Sequence, residues 1–183
     1  MVAPAPIVIV PSDPAWPDAF RRIGGRVRAT LGPVALRVDH VGSTSVPGLD
    51  AKPIVDLQVS VAALLPEEPY RDPLTANGFR FRPDNPDRTK RFFLGPVDEP
   101  TAHLHVRERG SFDERLNLLL RDYLRTHAEP AREYARMKWE LAGQYRDDRE
   151  GYVRAKEPTI WAILRLAHDW AQSTGWSPGP SDL

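Results

Sequence analysis

The residues best suited to chemistry fall within 38–60, Val-Asp-His-Val-Gly-Ser-Thr-Ser-Val-Pro-Gly-Leu-Asp-Ala-Lys-Pro-Ile-Val-Asp-Leu-Gln-Val-Ser. Gly42, Ser43 and Thr44 make a small polar loop whose amides and hydroxyls suit a phosphate. Lys52 can add a point charge, and His40 reaches the lip of the loop. Asp56 sits in an apolar run, 54–59. Alternation there sets Ile54, Asp56 and Gln58 on one face and Val55, Leu57 and Val59 on the other. A carboxylate in that setting is costly without a partner. It either holds a divalent cation or joins a buried ion pair with Lys52 or an arginine. His103 and His105, two apart in Ala-His-Leu-His-Val, share a face. They can join Asp56 if their strand lies beside it, or form a hydrogen-bonded pair at a sheet edge. Arg121 and Asp122 are neighbours in a helical pattern and point differently, so they need not pair with each other. Arg121 can grip a phosphate or carboxylate bidentately, or tie its helix to the sheet through an ion pair.

These groups need strands and turns to carry them. Pro47-Gly48 suits a type II turn, in which glycine takes the positive φ. Strands are predicted at 34–41 and 53–61 around the loop, and further ones at 7–10, 79–82, 90–94 and 101–106. Ser12 or Asp13 can cap a helix with Pro14 at its first position. Trp16, Phe20, Ile23, Val27 and Leu31 then recur at helical spacing, and Gly32-Pro33 ends the run. Residues 62–78 hold a Pro-rich bend and a short helix ending at Asn77-Gly78. After Gly110 the period becomes helical throughout. Ser111-x-x-Glu114 is a capping box, Glu129-Pro130 opens a second helix, and Asp147 or Asp148 opens a third that Pro158 kinks or restarts. Strands first and helices after imply an α+β fold, a mixed β-sheet backed by helices with a C-terminal helical segment. Residues 1–175 are expected to form one domain, 1–6 a flexible lead-in and 176–183 a flexible tail.

Composition narrows the function. Lys and Arg number 25 and so do Asp and Glu, giving no net charge, which argues against a mainly electrostatic nucleic-acid binder. There is no cysteine, which excludes disulfides, thiolate zinc sites and a thiol nucleophile. No apolar run approaches the ~20 residues of a membrane span, and no basic segment leads into an apolar core at the N-terminus. A cytoplasmic protein without a membrane partner is expected.

The stretch His40-Val-Gly-Ser-Thr-Ser-Val-Pro-Gly-Leu-x-x-Lys-Pro-Ile-Val-Asp56 resembles the GrpB family. So do His103-Leu-His105-Val, Leu120-Arg-Asp-Tyr-Leu-Arg125, Glu133-Tyr134 through Lys138, and Tyr152 through Lys156, in that order. The resemblance implies a nucleotidyltransferase-like fold, in which a Gly-Ser element precedes an Asp-x-Asp/Glu strand and a later strand adds a third carboxylate. Those acids hold two Mg²⁺ ions that align a triphosphate. Gly42-Ser43 matches the first element and Asp56 the first acid. Gln58 replaces the second acid, and His103 and His105 stand where the third is expected. The cofactor expected is a divalent metal, Mn, Zn or Mg, and the imidazoles favour a single transition ion over a Mg²⁺ pair. Asp56, His103 and His105 would be its ligands and the catalytic groups. His40 would be a third ligand or a partner to one, and Gln58 an outer partner. Gly42, Ser43, Thr44, Lys52 and Arg121 would take the phosphate or nucleotide, and Lys138 and Lys156 could line the anionic pocket. The family also resembles the C-terminal part of some dephospho-CoA kinases. The alternative to an enzyme is therefore a non-catalytic nucleotide- or CoA-binding or folding-accessory module, with such a kinase as partner.

Overall fold

The strand that carries Asp56 lies inside the sheet. In the computed structural model, which describes residues 6–183, five strands are ordered β1-β2-β5-β4-β3. They are β1 (Arg37–Val41), β2 (Val55–Val61), β3 (Arg80–Phe81), β4 (Arg91–Leu94) and β5 (Ala102–Glu108). β2 is antiparallel to β1 and parallel to β5, and β4 runs antiparallel to both β5 and β3. The sheet is therefore mixed, as the sequence predicts. The lead-in expected over 1–6 lies outside the described residues for 1–5.

The two faces of the sheet differ in chemistry. On one, Val38, Val55, Leu57, Val59, Leu104, Val106 and Phe93 are buried against α1 (Trp16–Leu31) and α2 (Glu68–Ala76). The heptad-like stripe of α1, from Trp16 through Ile23 and Val27 to Leu31, supplies the other half of that core. The opposite face is polar yet buried beneath α3 (Phe112–Thr126). Buried polar groups need partners, and here they join α3 to the sheet. Gln58 donates to the Glu114 carbonyl at 3.1 Å and accepts from Asn117 at 2.8 Å. Ser60 donates to the Glu114 carboxylate, which also accepts from the Gly110 amide at 2.7 Å. The Ser111 hydroxyl caps α3 by accepting from the Glu114 amide, as the capping box implies.

α4 (Ala128–Gln144) and α5 (Arg149–Thr174) complete the helical layer. Tyr123, Leu124, Tyr134, Ile163 and Ala167 form a second core with Val46 and Leu49 of the Gly-Ser loop, so the loop is clamped between sheet and helices. No described helix is long and apolar enough to cross a membrane.

Local expectations shift in places. The first helix starts at Trp16, and Asp13 accepts from the Ala15 amide just ahead of it. Residues 7–10 make an isolated bridge, Val10 to Ala51, instead of a strand. Gly32–Val34 forms a 3-10 turn that delays β1 to Arg37. α5 runs unbroken through Pro158. The carbonyl that proline deprives of a partner belongs to Arg154, on the exposed side of the helix where water can serve it.

The larger correction concerns the tail. The flexibility expected of 176–183 gives way to docking along the free edge of β1. Ser181 bonds the amide and carbonyl of Val38, the Leu183 amide donates to the Val38 carbonyl, and Asp182 accepts from the His40 amide at 2.8 Å. Leu183 packs on the first core. The Arg37 guanidinium donates to the carbonyls of Gly179 and Pro180. An edge strand offers unpaired amides and carbonyls, and the tail satisfies those of β1 despite its turn-rich composition.

Candidate active site

Parallel pairing of β2 and β5 sets Asp56 opposite His103 and Gln58 opposite His105, all on the polar face. Nδ1 of His103 lies 3.5 Å and Nε2 of His105 3.3 Å from Oδ1 of Asp56. One ligand atom from each residue falls within 4.8 Å of the other two. Metal bonds of about 2.0–2.2 Å to nitrogen and carboxylate oxygen require similar ligand spacings, so these donors fit around one ion with small adjustments. Two imidazoles and one carboxylate suit a transition ion better than Mg²⁺. Metal-bound imidazoles usually donate their other ring nitrogen to a partner. Nδ1 of His105 has none and is buried; its ring is steadied by Phe92, whose centroid is 5.3 Å away.

Charge is arranged to keep the acid ionised. Burial pushes Asp56 upward, but the hydrogen bonds and charge of His103 and His105 outweigh it and hold the carboxyl below the usual carboxylate range. Burial holds His105 below the usual imidazole range against the pull of Asp56.

The loop beside this cluster is shaped by Gly42. Its φ of 70° suits glycine, and a Cβ there would stand 2.6 Å from Oδ2 of Asp56. Ser43–Ser45 then makes a 3-10 turn. The Ser45 hydroxyl donates to the Gly42 carbonyl at 2.6 Å. Pro47-Gly48 turns as expected, with Gly48 at φ 76° and the Leu49 amide donating to Val46.

Between sheet and helices lies a cavity of about 220 Å³. Its lining includes Gly42, Ser43, Asp56 and His103, the basic residues Lys52, Arg121, Lys138, Arg149 and Lys156, and Tyr134 and Tyr152. The Lys138 ammonium lies 4.6 Å from the Tyr134 ring centre, and those of Lys52 and Lys156 lie 5.5 and 4.9 Å from that of Tyr152. Lys138 also donates to the Asp50 carbonyl. Burial, then the charge of Lys156, pushes Lys138 down to about 7. Burial, then the charge of Lys52, pushes Lys156 down to about 8. Lys52 is lowered by burial and by Arg149. Burial pushes the Tyr134 phenol up to about 12, and the Ser43 hydroxyl beside it works the other way.

Several residues named from the sequence take other parts. His40 pairs with Leu57 across β1 and β2, which puts it on the apolar face, away from Asp56. Its ring stacks on Phe20 at 4.7 Å, and Nε2 lies 3.0 Å from the Thr44 hydroxyl. Thr44 in turn donates to the Ile54 carbonyl at 3.1 Å, so its hydroxyl braces the loop. His40 is therefore a support for the loop and not a ligand beside Asp56. Gln58 fixes α3 through Asn117, which borders the cavity. Arg121 and Asp122 do pair, at 2.7 Å, although helix neighbours that point differently need not. Arg121 also bonds Asp182 at 3.0 Å and the His40 carbonyl at 3.3 Å, and sits 3.7 Å from Asp39. The guanidinium bends back along its own helix because three carboxylates converge there. These contacts form the ion pair of the second reading, and Arg121 also lines the cavity that the first would use. Lys52 and Ser43 do meet at the cavity. Arg149 and Asp182 were missed, and nothing in their local patterns distinguishes them from neighbouring charged residues.

A family model described as GrpB protein matches residues 6–166. The chain is 40% identical over 170 residues to UPF0157 protein PA4798 of Pseudomonas aeruginosa, covering 88% of this chain and 67% of that one. It is 32% identical over 202 residues to a dephospho-CoA kinase of Mycolicibacterium paratuberculosis, covering 97% of this chain and 50% of the kinase. The chain thus spans about half the length of that relative. The crystal structure of the conserved protein GrpB from Enterococcus faecalis superposes with a TM-score of 0.81 at 27% identity, covering 90% of this chain and 99% of that chain. The Cid1 poly(U) polymerase superposes over 73% of this chain and 44% of that chain with a TM-score of 0.50 at 15% identity, a likeness of fold alone. The chain therefore belongs to the GrpB family and has its α+β, nucleotidyltransferase-like fold.

Proposed function

We propose that this protein binds a phosphate-containing ligand, in the first place a nucleotide, and processes it as a metal-dependent nucleotidyltransferase-like enzyme. One observation carries the reading: the Asp56–His103–His105 cluster and a cation-lined cavity meet at the Gly42-Ser43 loop. Asp56, His103 and His105 would hold one transition ion, Zn or Mn before Mg, which supplies polarisation of a phosphoryl oxygen when bound. Loop amides and the Ser43 hydroxyl receive a phosphate, and Lys52 neutralises its charge. Gln58 keeps Asn117 and α3 at the rim. The test is a panel of nucleotides with Mn²⁺, Zn²⁺ or Mg²⁺, read by phosphate release and by transfer to added hydroxyl acceptors. Turnover that disappears in Asp56→Ala, with the fold intact by circular dichroism, supports the proposal; absence of turnover under every condition defeats the catalytic part.

A second reading is a non-catalytic module that binds a nucleotide or CoA, or assists the folding of a dephospho-CoA kinase. It is favoured by the match of nearly the whole chain to half of such a kinase. Co-purification with a kinase, together with ligand binding and no turnover, is the result it requires.

A further inference from the structure

We infer that the cavity is a site for a bare chain of phosphates, tri- or polyphosphate, recognised by its charge and without a reading of a nucleobase. This rests on the proposal that the cavity takes phosphate, and extends it to the part of the ligand that is read. The charge of the walls is the first argument. Lys52, Lys138, Arg149 and Lys156 converge on the cavity, and among the described residues none of them has a carboxylate within ion-pair distance. The lining contains one carboxylate, Asp56, which lies against His103 and His105 and also acts on Lys52 and Lys156. Arg121 is balanced by Asp39, Asp122 and Asp182 and adds nothing to the surplus. Four basic groups against one carboxylate, around a small and partly open space, match a ligand with several negative charges, more than one phosphate supplies, which would draw Lys138 and Lys156 into their charged forms.

Size and surface give the second argument. About 220 Å³ is below the ~300–1,000 Å³ of pockets that enclose drug-sized ligands. It admits a short run of phosphate groups and leaves a nucleoside outside. A base would need an aromatic face for stacking. The rings of Tyr134 and Tyr152 face lysine ammoniums, and Phe92 packs on His103 and His105. Burial first, and then repulsion among the lysines, makes Lys138 and Lys156 hold their protons less tightly than usual. A polyanion between them reverses that repulsion, so its binding must draw protons from solution.

The experiment is titration calorimetry of the full chain with inorganic triphosphate, pyrophosphate, phosphate, sulfate, ATP, GTP and adenosine. It is run at pH 8 with EDTA in two buffers of different ionisation heat, then repeated with Mn²⁺. Triphosphate is expected to bind at least tenfold more tightly than phosphate or sulfate, with proton uptake. ATP and GTP should match triphosphate within about threefold, and adenosine should give no heat. Lys156→Met and Arg149→Met should each weaken triphosphate at least tenfold. Lys138→Met should do the same, and the other two variants decide the matter if it misfolds. Binding that depends on the base, equal binding of sulfate, or unchanged affinity in Lys156→Met and Arg149→Met would overturn the inference. Asp56→Asn separates the two proposals. Triphosphate binding retained by this variant in EDTA while its metal binding is lost upholds the site whatever becomes of catalysis; in the parent protein, metal binding with no triphosphate binding removes this inference alone.

Discussion

Gly42 and Asp56 are fitted to one another: a single methyl group on the glycine would stand 2.6 Å from the carboxylate. The glycine backbone, at φ 70° and ψ −173°, lies in a region that is essentially closed to other residues. The loop can therefore approach the acid only because position 42 has no side chain. Gly42→Ala is expected to lose about 1–3 kcal/mol from backbone strain and to displace Asp56 from the histidines. Urea unfolding measures the first effect and metal titration the second. A variant as stable as the parent, with unchanged metal affinity, would show that the contact carries no constraint.

The three-residue cluster predicts its own dissection. His103→Gln and His105→Gln should each reduce Zn²⁺ affinity at least tenfold, measured by competition with a chromophoric chelator. His40→Gln should leave it within about twofold, because that ring lies on the apolar face. Equal losses in all three would mean that the imidazoles act through the fold and not as ligands.

His40 also predicts an acid limit on stability. Burial, then the positive charge of Arg125, lowers it from an ordinary 6.5 to about 4. Between those values the unfolded chain takes up a proton that the native ring refuses. Stability present above pH 6.5 is lost as pH falls through 4, to a limit of about 3 kcal/mol. Urea midpoints from pH 7.5 to 4 should fall more steeply for the parent than for His40→Gln, which does not titrate there. Parallel curves would assign the acid sensitivity elsewhere.

Asp182 links the docked tail to the border of the cavity through Arg121 and the His40 amide. Asp182→Ala leaves a buried guanidinium with one carboxylate fewer and should cost about 1–3 kcal/mol. Deleting 177–183 should cost more, since it also uncovers the β1 edge and removes Leu183 from the first core. Thermal unfolding of both variants tests this. A tail that can be removed without loss would be an ornament on a self-sufficient edge.

Much of this could be read from local rules. The alternation around Asp56, the turn at Pro47-Gly48, the Ser111–Glu114 cap and the apolar stripe of the first helix all follow from interactions within a few residues. They were enough to give the α+β class and to put Asp56 and the His103–His105 pair on defined faces of their strands. They could not reveal that β2 and β5 are parallel neighbours in a register that sets Asp56 against His103, because pairing across 47 residues of chain leaves no mark in either strand. The same limit hid the side of the sheet on which His40 falls. It also hid the ion pairs of Arg121 with Asp39 and Asp182, the convergence of Lys52, Lys138, Arg149 and Lys156, and the docking of the tail. Each depends on a partner far away in sequence: composition supplied the charges, and only the packing of α3, α4 and α5 over the polar face of the sheet decided which would be balanced and which left facing the cavity.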